Sequence, residues 1–78
     1  MVLYKTYLAR SSYEQALEFF RSIDDQCHQV EVLADTGRLY TDLQMPDKAN
    51  SSWTTALALA KDNNYLSYAK TIKELLET

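Results

Sequence analysis

The sequence predicts an all-α domain of antiparallel helix hairpins, about five helices in 78 residues. Three observations lead to that fold class. Apolar residues recur at helical spacing in almost every stretch, and no run alternates in the way a half-buried strand does. Only one glycine and one proline are present, too few for a fold rich in hairpins or long loops. Several residue types also return at one fixed interval along the chain, the mark of a repeated supersecondary unit.

The first segment, roughly residues 2–9, places Leu3, Tyr4, Tyr7 and Leu8 at helical spacing. Ser11 and Ser12 then offer N-caps for a second helix, because a short hydroxyl side chain can accept from the free N–H groups of a first turn. That helix, roughly 13–23, carries an apolar stripe of Ala16, Leu17, Phe20 and Ile23. Asp24 or Asp25 is suited to cap a third helix ending near Leu43. Val30, Leu33, Gly37 and Tyr40 share one face of it, and Val32, Leu39 and Leu43 widen the stripe, which predicts contacts on two sides and a central place. Pro46 stands at or beside the first turn of a fourth helix, where a missing N–H costs nothing. Trp53, Ala56, Leu57 and Ala60 form its stripe, and Asp62, Asn63 and Asn64 close it. The last segment, about 65–77, has Tyr65, Ala69, Ile72 and Leu76 along one face, with Leu66, Tyr68 and Leu75 beside them.

Size and charge narrow the function. A core of this length leaves only a few kcal/mol of net stability, so packing must be close. An apolar fraction of 46% with 24% charged residues suits a soluble globular chain. The formal charge is -3 and the eight Lys and Arg are scattered between acids, which argues against a surface that tracks phosphates. The longest apolar run, Ala56 to Ala60, is far below the roughly 20 residues that cross a bilayer, and no signal peptide is visible. A single cysteine, Cys27, permits no internal disulfide, so a cytoplasmic location is the expectation.

Candidate chemistry is thin. His28 follows Cys27, but helix neighbours point about 100° apart, so packing or a solvent position is expected ahead of a nucleophile and base. The pair also falls short of the four ligands of a structural zinc site, although a site shared between molecules stays open. Asp24 and Asp25 read as helix caps before paired catalytic carboxylates. Glu31, Asp35 and Arg38, three and four apart, read as a solvated ion-pair ladder that can still face a partner. Gly37 stands alone in a helical pattern and makes no phosphate loop. The chain is therefore expected to be no enzyme and to use no cofactor and no metal.

The fixed interval carries most of the inference. Tyr7 matches Tyr40, Ala16 matches Ala49 and Phe20 matches Trp53, each at an offset of 33. Leu3-Tyr4 leads the first set, and Leu33 with Thr36-Gly37 leads the second. This pattern resembles the tetratricopeptide repeat, in which a large apolar residue, Leu-Gly, Tyr, Ala and an aromatic recur about every 34 residues. Leu33, Gly37, Tyr40, Ala49, Trp53 and Ala56 occupy matching places in the second unit. Departures are Thr36 for the usual Leu, Lys61 where Pro often ends the unit, and, in the first unit, Tyr4 for Gly and a trimmed start.

The resemblance implies a right-handed α-solenoid in one domain over 1–78: a first repeat at 1–29, a second at 30–63 and a capping helix at 64–78. It implies a protein-interaction module, in which the first helix of each unit lines a concave groove that takes a peptide or helix of another protein. The groove residues would be Lys5 and Leu8, then Glu31, Ala34, Arg38, Thr41 and Asp42, completed by Tyr65 and Tyr68. One subgroup grips chaperone C-terminal carboxylates with Lys and Asn from these helices. Here Asn50 falls on the fourth helix and Asn63 and Asn64 in a junction, so that clamp is not expected. A weaker likeness, in the run Ala56 to Lys61 and the Tyr-rich helices, is to bacterial peptide-sensing regulators, without their effector domain. Stable arrays have about three units and this chain about two and a half, so the alternative is a self-associating module. It would be a dimer through the face around Met1, Leu3 and Tyr4, or an excised or engineered piece of a longer array.

Overall fold

The computed structural model describes residues 2–77, with side chains described from Ala9 to Glu77. Every regular element among them is helical: α1 (Val2–Ser22), α2 (Gln26–Asp42), α3 (Pro46–Asp62) and α4 (Leu66–Glu77). The described residues thus form four helices where about five were expected, because the first two expected segments are one continuous α1. Ser11 and Ser12 lie inside it. Serine weakens a helix interior by only a fraction of a kcal/mol, and neither glycine nor proline interrupts the stretch. Arg10 Nε donates to Glu14 Oε1 at 3.1 Å across the expected break, an i,i+4 pair that favours continuation.

The breaks that do form share one backbone device. Asp24, Gln44 and Asn64 have φ of 57°, 58° and 60°, and they fall 20 residues apart. In each turn the N–H of the following residue reaches back to a carbonyl of the last helical turn: Asp25 to Phe20, Met45 to Tyr40 and Tyr65 to Ala60, all at 2.8 Å. With the companion bonds from Asp24 to Arg21, Gln44 to Thr41 and Asn64 to Lys61, this is the Schellman motif three times over. The next helix starts at once, since the carbonyls of Asp25, Met45 and Tyr65 accept from Gln29, Ala49 and Ala69. Turns this short fold each helix back on the one before it.

These turns place the residues that recur at an offset of 33 at different points of their helices. Ala16 and Phe20 stand in the last two turns of α1, whereas Ala49 begins α3 and Trp53 lies at its middle. Tyr7 and Tyr40 lie on helices of different order, α1 and α2. Counted from the turns, α1 corresponds to α3 at an interval of 40, which sets Ala9, Tyr13 and Ala16 beside Ala49, Trp53 and Ala56. The sequence holds the spacing Ala-x3-aromatic twice within α1, and only the helix end tells which of the two matches α3.

Each helix packs on the next and α2 also touches α4, while among the described residues α1 reaches neither α3 nor α4. The result is a slab of 39 × 31 × 16 Å. Its core joins Val30 and Leu33 of α2, Ala49, Trp53, Ala56 and Ala60 of α3 and Ile72 of α4. The alanines let α3 lie close to both neighbours, and Trp53 fills the gap toward α2. There the fit is tight: a Cβ on Gly37 would lie 2.2 Å from Trp53 Nε1.

Candidate functional site: a groove between α2 and α4

With α3 behind them, α2 and α4 stand side by side and leave a groove of about 340 Å³. Glu31, Ala34, Asp35 and Arg38 line it from α2, successive turns of one ridge, and Tyr68, Thr71 and Ile72 line it from α4. The floor is apolar, with Ile72 fully buried and Ala34 half-buried. The rim is polar. The Tyr68 hydroxyl donates to Glu31 Oε1 and bridges the two helices. That bond first, then partial burial and the nearby Cys27, pushes the Tyr68 phenol well above its usual range, so it stays a neutral donor. Arg38 Nη1 lies 3.6 Å from Asp35 Oδ1, with both side chains about half exposed. Thr71 Oγ1 donates to the carbonyl of Ser67 at 3.1 Å.

Of the residues expected at the groove, Glu31, Ala34, Arg38 and Tyr68 come together. Tyr65 sits one step back, packed on the core with its ring edge-on to Tyr68 at 6.3 Å, where it steadies the groove wall. Thr41 faces elsewhere. Its hydroxyl donates to the Gly37 carbonyl at 3.1 Å, and it lines a separate cavity of about 460 Å³ with Pro46, Asn50, Trp53 and Leu76. Asp42 is exposed at the last residue of α2 and lines neither cavity. Lys5 and Leu8 belong to α1, but their side chains lie outside the described residues. Asp35, Thr71 and Ile72 were not among the expected groove residues. Their signal was present, because each lies three or four positions from one that was.

Cys27 and His28 point apart. The His28 ring stacks on Phe20 of α1, centroids 4.7 Å apart, and its Nδ1 lies 2.6 Å from Asp25 Oδ2. Asp25 also caps α2, accepting from the His28 backbone N–H at 3.1 Å. That N–H first, and then the ring, hold the Asp25 carboxyl below its ordinary value. Gln29 Nε2 donates to the Phe20 carbonyl at 3.2 Å, so this cluster locks the α1–α2 junction. Among the described residues, no three His, Cys, Asp or Glu side chains stand where they could hold a metal ion, and no helix is long and apolar enough to cross a membrane.

The geometry defines a class only: an all-helical chain with a partly apolar groove between two helices of like order. Compared with known proteins, the chain matches no family model, no curated protein and no solved structure.

Proposed function

We propose that this chain is a tetratricopeptide-like interaction module that holds a peptide or helix of a partner protein in the α2/α4 groove, binding without catalysis. The observation that carries the reading is the groove itself. It lies between helices of like order, has an apolar floor, and carries the exposed polar side chains of Glu31, Arg38 and Thr71 at its rim. The close fit of Trp53 on Gly37 supports the family likeness, since both belong to the residues that match the repeat pattern. A displayed library of random peptides, panned against the intact chain, tests the reading. Enriched peptides should lose at least about tenfold in affinity to Thr71→Arg, which sets a long side chain at the exposed rim without touching the core. Peptides that bind the variant as well as the parent chain would place recognition elsewhere.

A second reading, self-association, is favoured by one observation. Phe19 in the last turn of α1 and Ile23 just past its end are 58% and 53% exposed, although the face first expected for it, around Met1, Leu3 and Tyr4, lies outside the residues with described side chains. Light scattering decides it: a dimer dispersed by Phe19→Glu supports this reading, and a monomer at high micromolar concentration removes it.

A further inference from the structure

We infer that the α2/α4 groove selects a cationic segment, an apolar side chain flanked by lysine or arginine. This rests on the proposal that the groove is a peptide site, and adds what that site prefers. The floor of Ala34, Ile72 and the Tyr68 ring asks for an apolar side chain. The wall above it asks for positive charge. On this wall α2 carries the carboxylates Glu31 and Asp35, and Arg38 is the one Lys or Arg on the whole helix. Arg38 already lies against Asp35, so its charge is answered there, and Glu31 supplies the remaining negative charge of the wall.

Tyr68 adds to the selection. Its hydroxyl orients Glu31 toward the groove as a neutral donor and leaves the negative charge in place. Among the described residues that line the groove, α4 contributes the hydroxyls of Tyr68 and Thr71 and no charged group. An acidic ridge alone would be an ordinary solvated helix face. Here it borders an apolar floor between two helices, so a segment seated on the floor must bring its neighbouring side chains beside the carboxylates. The field of the whole chain, with a formal charge of -3, points the same way and would steer a cationic segment toward the groove.

The test uses three labelled peptides of equal length with one shared Leu/Ala stripe and Lys, Gln or Glu at the flanking positions, measured by fluorescence anisotropy on the intact chain. The Lys peptide should bind about tenfold more tightly than the Glu peptide, with a margin that shrinks as salt rises. Glu31→Gln with Asp35→Asn should weaken the Lys peptide about three- to tenfold more than it weakens the Gln peptide. Equal binding of all three that is lost in Thr71→Arg overturns the charge selection while the groove reading stands. Binding by none of the three, or binding that Thr71→Arg leaves intact, overturns both.

Discussion

Trp53 carries one polar atom, and that atom fixes where its ring lies. Nε1 donates to the Ala34 carbonyl at 3.1 Å, which pins the indole flat against Gly37 and ties α3 to the helix that bears the groove. The ring cannot swing aside without losing that bond. Gly37→Ala should therefore destabilise the fold by up to about 2 kcal/mol in urea titration: the overpacking cost of about 1–3 kcal/mol is set against a gain of about 1 kcal/mol from replacing glycine inside a helix. An increase in stability would mean that the ring is not held as described. Asp25 gives a second prediction at this scale. Its carboxyl is held below its ordinary value of 3.8, so its contribution is present above about that pH and is lost as pH falls through the lower folded value. The difference in Tm between the parent chain and Asp25→Ala should accordingly be largest near neutrality and close up below pH 3.8.

At the scale of the element, the three turns explain both what the sequence disclosed and what it hid. Asp24 or Asp25, and Pro46, were readable as helix starts, and Asn63 and Asn64 as a helix end, because each carries side-chain chemistry suited to such a place. The left-handed residues themselves were not readable, since Asp24, Gln44 and Asn64 stand where glycine would usually announce the turn. Ser11 and Ser12 misled for the complementary reason: a serine caps a helix only where the backbone before it breaks, and here it does not. The groove residues expected on α2 and α4 followed from the family resemblance, and helical periodicity supplied only which positions share a face. Thr41 was not separable from them, because its turn of α2 lies past the groove, beside the start of α3 and the end of α4. Among the three turn residues Gln44 is the poorest suited to a positive φ, as Asp and Asn tolerate it through short polar side chains. Gln44→Gly should stabilise the chain by about 0.5–1 kcal/mol, the relief of left-handed strain less the added freedom of glycine in the unfolded state. Asn64→Gly should gain less. A larger gain at Asn64 in matched denaturant titrations would contradict that ranking.

For the whole molecule, packing that runs from each helix to the next makes stability uneven. α2 and α3 are each packed on both sides, whereas among the described residues α1 contacts α2 alone. What holds α1 is the cluster of Phe20, His28 and Gln29 at one end and, further along, Arg10 over the Tyr40 ring at 5.8 Å. Lys48 approaches the same ring from α3, also at 5.8 Å, so Tyr40 links three helices. Amides of α1 should thus exchange with solvent well before those of α2 and α3, and protection of α1 equal to that of α3 would show a tie that the packing lacks. The groove lies between α2 and α4, and none of its lining residues belongs to α1. A titration of the labelled chain with the Lys-flanked peptide, followed by amide chemical shifts, tests that placement most directly. The shifts should gather at Glu31, Ala34, Arg38, Tyr68 and Thr71 and leave Phe19 and Ile23 unmoved, whereas shifts gathered on α1, or none at all, would contradict a peptide site between α2 and α4.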